Sequence, residues 1–108
     1  MRITLKSIPH DKQRYETLGD WFHDEDGVQI RVDEMKDTDE QMVIALHELV
    51  EWYLCKKSGV TDTEASGFDK KNPKLAEPGE NEEAPYHEQH MASEEVEKMF
   101  RKQLKKFK

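Results

Sequence analysis

Thr38-Asp39-Glu40-Gln41-Met42-Val43-Ile44-Ala45-Leu46-His47-Glu48-Leu49-Val50-Glu51-Trp52-Tyr53-Leu54-Cys55-Lys56-Lys57 is the stretch on which the fold turns. Its apolar residues recur at Met42, Val43, Leu46, Leu49, Val50, Tyr53 and Leu54, an interval that keeps side chains on one face of a helix. Thr38 with Gln41 three residues on fits a capping box. Asp39 and Glu40 place negative charge where the dipoles of a first helical turn attract it. Lys56 and Lys57 suit the opposite end, and Gly59 supplies a residue that tolerates the left-handed stop of a helix. The spacing predicts a helix over 39–57.

Strand signals precede it. Arg2 to Ile8 alternates, with Ile3, Leu5 and Ser7 on one side and Arg2, Thr4 and Lys6 on the other, until Ile8-Pro9 breaks the pattern. A second strand is expected over 17–23, a turn at Asp24-Glu25-Asp26-Gly27, and a third strand over 28–33 with Val28, Ile30 and Val32 on one face. After the helix, residues 60–85 are polar and interrupted by Pro73, Pro78-Gly79 and Pro85. That is a long connection of the kind that is either functional or unordered, with room for a helical turn at Thr61 to Phe68. A last helix is expected to begin between 86 and 93 and to run to about 106, with Ala92, Val96, Met99, Phe100, Leu104 and Phe107 as its apolar face. The expected fold class is α+β: one domain, 1–108, with a small antiparallel sheet of two or three strands packed on the central helix, a long polar loop and a C-terminal helix.

Composition narrows the function classes. Hydrophobic residues make up 34% and charged residues 38% of the 108. A chain of this size buries roughly 60–65% of its unfolded surface, so a bound metal would be a useful staple. No run approaches the ~20 apolar residues of a membrane span, and the N-terminus lacks the apolar run of a signal peptide. Cys55 is the only cysteine, which rules out an internal disulfide and suits a reducing cytoplasm. The net charge of −7 is uneven: Lys98 to Lys108 carries six basic residues and no acidic one, leaving −13 on the rest. An acidic body repels phosphate backbones, so no nucleic-acid partner is expected, and the basic end suits the last turns of a helix.

The chemistry lies in His47-Glu48-Leu49-Val50-Glu51. Residues four apart stand one turn apart on a helix, so His47 and Glu51 can reach one ion from the border of the apolar stripe. In the metalloprotease helix His-Glu-x-x-His the two histidines bind zinc and the intervening glutamate is the general base. Here Glu51 replaces the second histidine, so a histidine from downstream would restore a two-His, one-Glu set. His87 and His90 both stand at the start of the last helix, and His90 is preferred. Asp69, in Ser66-Gly67-Phe68-Asp69, is a further candidate. Zinc acidifies water, and Glu48 is placed to accept its proton. Cys55, one turn beyond Glu51, reads as a small buried side chain, His10 and His23 as ordinary surface residues, and Trp21, Trp52 and Tyr53 as core or interface anchors. There is no phosphate-binding glycine loop, dinucleotide fingerprint or paired-cysteine motif.

Several segments, taken together, carry a resemblance: Ile8-Pro9-His10 with Arg14-Tyr15, Gly19-Asp20-Trp21, Gln29-Ile30-Arg31-Val32, Ala45 to Glu51, Phe68-Asp69, Glu77-Pro78-Gly79, Ala84-Pro85-Tyr86, and His90 with Ala92. In these the chain resembles a group of small proteins encoded by bacteriophages and prophages. The resemblance implies a viral origin, with the cytoplasm of a bacterial host as its setting. It carries over His47, Glu48, Glu51, Asp69 and His90, whereas His87 does not match the pattern.

Two functions follow as expectations. One is a zincin-like hydrolase of peptide or protein substrates, with His47, Glu51 and His90 holding Zn2+ or another divalent transition metal and Glu48 as base. The other is a phage accessory protein that binds and blocks a host protein, its metal purely structural. A magnesium site pairing Glu48 and Glu51 with Glu94 and Glu97 would suit an all-α chain, which the strand signals oppose, and would have no use for the histidines.

Overall fold

The computed structural model describes residues 1–107. Three strands, β1 (Arg2–Ile8), β2 (Gly19–His23) and β3 (Gly27–Asp33), are followed by three helices, α1 (Thr38–Ser58), α2 (Asp62–Lys71) and α3 (His87–Leu104). The protein is a small α+β domain.

The sheet has the order β1-β3-β2, with β1 parallel to β3 and β2 antiparallel to it. It is therefore mixed, which corrects the antiparallel sheet expected from the sequence. Only β2 and β3 are joined by a tight hairpin, whose turn Asp24 holds by accepting the backbone N–H groups of Asp26 and Gly27 at 2.9 and 2.8 Å. The connection 9–18 is long enough to cross the sheet, so the chain enters β2 at the far edge and returns up the middle in β3. Alternation reveals strands but not their neighbours.

Val28, Ile30 and Val32 form the buried face of β3 against α1. Ile3 and Leu5 pair with Val28 and Ile30 and share that face. They nonetheless remain 53% and 48% exposed, because β1 is an edge strand extending beyond the cover of the helix.

Helix α1 is capped by Asp37, whose side chain accepts the N–H of Glu40 at 3.2 Å. The expected Thr38 capping box does not form, since the Gln41 side-chain oxygen instead accepts the N–H of Met35 at 2.9 Å. Gly59 ends the helix at φ 78° with its N–H on the last carbonyls, as Gly is suited to do. The buried residues of α1 are Val43, Ala45, His47, Glu51, Trp52 and Cys55, while Met42 and Tyr53 of the expected stripe are 47% and 50% exposed. His47 and Glu51 therefore belong to the buried side of the helix rather than to its border. The cause is α3, which packs along α1. Ser93, fully buried in α3, donates to the carbonyl of His47 at 2.6 Å, and its small side chain lets the two backbones approach.

The segment expected as a long loop holds α2 and a one-turn 3-10 helix, Pro78–Glu80. Thr61 and Glu64 form a reciprocal capping box at the start of α2. On α3, Ala92 and Met99 are exposed, and Phe107 lies beyond the helix at 82% exposure, so the buried side of this helix is again polar, centred on His90 and Ser93. Arg101 ties α3 to α1 by a forked pair of bonds to Glu40 at 2.8 and 2.9 Å. The apolar cluster of Trp21, Val28, Ile30, Trp52, Cys55, Ala65, Ala84 and Tyr86 draws on the sheet, α1, α2 and the approach to α3. Cys55 lies inside it, its thiol pushed up to about 12 chiefly by burial, which makes it an inert packing residue. Among the described residues no helix is long and apolar enough to cross a membrane.

Candidate metal centre

His47 and Glu51 project from successive turns of α1, and His90 reaches them from the first turn of α3. His47 Nε2 lies 3.1 Å from Glu51 Oε2 and 3.2 Å from His90 Nδ1, and His90 Nδ1 lies 2.8 Å from the same Glu51 oxygen. Two nitrogens and one oxygen thus form a small triangle, with all three residues buried. Ligand atoms about 2.0–2.2 Å from a tetrahedral zinc stand roughly 3.3–3.5 Å apart. The sides of 3.1 and 3.2 Å would need to open by only a few tenths of an ångström, and the 2.8 Å side by about 0.5–0.7 Å, to hold such an ion.

Each member of the triangle is also held from behind. His47 Nδ1 stands 2.9 Å from Glu97 Oε2, and His90 Nε2 stands 3.1 Å from Glu94 Oε1. A proton on each of these outer nitrogens leaves the inner nitrogen of each ring free to ligate, the arrangement by which carboxylates orient metal-binding imidazoles. The second oxygen of Glu51 accepts the indole N–H of Trp21 at 3.1 Å. Burial works against charge on both imidazoles, yet the hydrogen bonds and charge of Glu51 outweigh it and raise both histidines above their ordinary value. Glu51 is itself buried, but the two imidazoles hold its carboxyl below the usual range. In the absence of an ion the cluster is thus held together by shared protons.

The cluster forms part of the wall of a cavity of about 290 Å³, lined also by Glu48, Asp69, Tyr15, Tyr86 and Gly79. Glu48 follows His47 on α1. Burial first, then the charges of Glu51, Asp20, Asp69 and Glu97, push its carboxyl well above the ordinary carboxylate value. Gly19 makes room for it: a Cβ there would lie 2.7 Å from Glu48 Cγ and 2.8 Å from its Oε1. Asp69, on α2, receives the phenol of Tyr15 at 2.8 Å and that of Tyr86. It joins three separate segments at the cavity wall. Its own carboxyl is raised by burial against the pull of the two tyrosines, while burial and the Asp69 charge raise both phenols.

Of the residues singled out in the sequence, His47, Glu51 and His90 converge, and Glu48 lies in the same cavity. Asp69 lines that cavity but is not one of the three clustered groups, its oxygens being engaged by the tyrosines. His87 stands apart: its Nδ1 bonds to the carbonyl of Gly79 at 2.9 Å. His10 and His23 are more than ordinary surface residues. His10 lies 2.6 Å from Asp33 and 2.8 Å from Glu16, fastening the connection between β1 and β2. His23 accepts the indole N–H of Trp52 at 3.0 Å.

Sequence reasoning missed the supporting roles of Trp21, Glu94, Glu97, Gly19 and Gly79. The spacing of Glu94, four residues after His90, was the one readable signal, since it puts both on one helix face. Gly79 matters because a Cβ there would lie 2.4 Å from both Cγ and Nδ1 of His90. The one-turn helix Pro78–Glu80 therefore lies directly against the imidazole. What the buried cluster can do, on its geometry, is coordinate a metal ion. Comparison with protein-family models, with curated proteins and with solved structures finds no match to this chain.

Proposed function

We propose that the protein is a zincin-like, metal-dependent hydrolase acting on peptide or protein substrates, of the phage origin implied by the group it resembles. The observation that carries this reading is the shared cavity. The donor triangle of His47, Glu51 and His90 and the carboxyl of Glu48 line one space, where a ligand set of three protein groups leaves room for water.

The donor set of two imidazoles and one carboxylate suits zinc and its neighbours rather than magnesium or calcium. A bound ion would acidify water and polarise a carbonyl. His47 and His90, oriented by Glu97 and Glu94, and Glu51, steadied by Trp21, would hold the ion. Glu48 takes the proton of the attacking water and passes it to the departing amine as the acyl carbon–nitrogen bond breaks. Its raised pKa suits both halves of that exchange. The cavity, about 290 Å³, would seat a side chain or two beside the bond rather than a long peptide.

The test is metal content by mass spectrometry on untagged protein, followed by hydrolase assays on the loaded form. About one zinc per chain is expected, lost in His47→Ala, Glu51→Ala and His90→Ala. Glu48→Gln should keep the metal and abolish hydrolysis. Wild type without a stoichiometric transition metal would refute the metal centre. Stoichiometric metal with no hydrolysis, and a Glu48 that can be replaced without effect, would favour the accessory protein with a structural ion.

A further inference from the structure

The sheet has two edges, and the chain treats them differently. At β2, Asp62 of α2 accepts the N–H of His23 at 2.8 Å, and the cavity of the metal cluster lies alongside Gly19, Asp20 and Trp21. β1, at the other edge, pairs with β3 alone, in one unbroken register from Arg2 to Ile8. Arg2 gives its N–H to the Asp26 carbonyl, and the Ile8 carbonyl accepts the N–H of Glu34, so the even-numbered residues turn their backbone groups towards β3. The N–H and C=O groups of Ile3, Leu5 and Ser7 therefore point outward, where no strand among the described residues takes them up. Edges of this kind are commonly blunted by a proline or a bulge, and β1 has neither. Its charges, Arg2 and Lys6, stand on the face away from α1. On the α1 side Ile3, Leu5 and Tyr53 are all about half-exposed. Ile3 and Tyr53, with Val50 and Leu54, line an open groove of about 350 Å³, and none of these residues belongs to the cavity of the metal cluster.

We infer that this edge joins a second copy of the chain, β1 to β1 and antiparallel, about a two-fold axis at Leu5. Opposed residues must face the same side of a sheet, so the axis can stand at a residue but not between two. At Leu5 all seven residues find a mate. Leu5 meets Leu5 of the second copy, Ile3 meets Ser7, Arg2 meets Ile8 and Lys6 meets Thr4, so no like charges stand opposite. An axis at Thr4 would set Arg2 against Lys6, and an axis at Lys6 would set that residue against itself. The outward groups of Ile3, Leu5 and Ser7 then fall opposite one another and bond across the join. Such self-matching is what a two-fold interface demands and what a foreign peptide does not. Both α1 helices lie on one side of the joined sheet, where Ile3, Leu5 and Tyr53 from the two copies close the groove. Their exposed surface is on the order of a few hundred Å² per copy, the size of patch that marks an association site. With the paired backbone added, the total approaches the ~1,000 Å² that a specific interface needs.

The experiment is sedimentation equilibrium of the full-length protein from about 1 to about 100 μM, a range that reads a micromolar dimer. Wild type is expected to reach twice the chain mass of 12.8 kDa. Leu5→Lys sets two ammonium groups against each other at the axis and should weaken the dimer at least ~100-fold, with circular dichroism unchanged. Thr4 reads the register, because it faces Lys6 of the other copy on both sides of the axis. Thr4→Glu should tighten the dimer and Thr4→Lys weaken it, each about fivefold. Wild type that stays monomeric throughout would overturn the inference, as would a dimer that Leu5→Lys leaves intact. A dimer that Thr4→Glu and Thr4→Lys shift in the same direction would overturn it too, whether or not the Leu5 variant folds. The hydrolase reading is tested separately, since metal content and hydrolysis depend on residues at the other edge of the sheet.

Discussion

Gly79→Ala is the substitution that tests most directly how the candidate metal centre is held. The residue is neither in the metal motif nor a ligand, and its backbone is not among the glycines with positive φ. What it lacks is a Cβ, which would lie 2.4 Å from Cγ and Nδ1 of His90 and 2.8 Å from its Cβ. Ordinary contact begins at 3.4 Å, so the ring or the Pro78–Glu80 turn must give way by about 1 Å, twice the ~0.5 Å within which a working site must be held. The ring has little freedom to move, because Glu94 and Glu51 hold its two nitrogens from opposite sides. The turn is tied to α3 through the Gly79 carbonyl and His87. The expected result is a loss of at least ~10–100-fold in zinc affinity, the scale seen when outer partners of a metal ligand are removed. Overpacking should also cost about 1–3 kcal/mol in the metal-free protein.

Competition titration against a chromophoric zinc chelator reads the affinity, and circular dichroism with thermal melting reads the fold. Gly67→Ala is the control, since a Cβ at that position on α2 meets nothing within 4 Å. Wild-type zinc affinity in a folded Gly79→Ala protein would refute the claim that this turn positions His90.

The remaining predictions concern the same cavity. Glu97→Gln and Glu94→Gln, which remove the carboxylates behind His47 and His90, should each weaken zinc about 10–100-fold by chelator competition. Gly19→Ala crowds Glu48 rather than a ligand, so zinc content by mass spectrometry should stay near wild type while hydrolysis falls. Glu48→Gln should raise rather than lower the stability of the metal-free protein at neutral pH in urea titration, because burial and the charges of Glu51, Asp20, Asp69 and Glu97 disfavour an ionised carboxylate at this position. The raised histidines set the pH dependence of the metal-free form: their contribution is fully present below the unfolded value of 6.5 and is lost as pH rises through their folded values. Zinc requires deprotonated imidazoles, so melting with and without zinc should show a stabilising increment that grows as pH rises from about 6 to about 8.

How far the sequence revealed this molecule depends on which physical rule governs each part. α1 was legible at both ends, from its acidic first turn to Gly59, because propensity, dipole and stop signals act locally. Its orientation was not. The apolar stripe pointed to Met42 and Tyr53, which α1 leaves half-exposed, whereas α3 packs over the polar residues His47 and Glu51. A helix that buries a site breaks the rule that apolar residues mark the inside. The strands were legible from alternation, but the parallel pairing of β1 with β3 was not, since neighbour choice is settled by the packing of the whole chain. α2 carried a readable Thr61–Glu64 capping box within a composition that otherwise reads as loop. At the site, His47 and Glu51 follow from helix geometry alone. The placing of His90 rather than His87 against them depends on where α3 begins and on the space left by Gly79, neither of which a spacing rule encodes.

Glu51 is the group that the metal-free cluster has to satisfy. Its Oε2 faces His47 Nε2 and His90 Nδ1, and its Oε1 accepts the indole N–H of Trp21, so the buried carboxylate has a partner at each oxygen. Left without those partners, a buried carboxylate would be strongly destabilising. A divalent ion held by the same three side chains would take over the role of the shared protons. Glu48 is the exception, since neither the protons nor the ion give it a partner within the triangle. A carboxyl kept above its ordinary pKa in a cavity beside three converging donor atoms costs stability, and the exchange of a proton with water during hydrolysis is a use that would account for that cost.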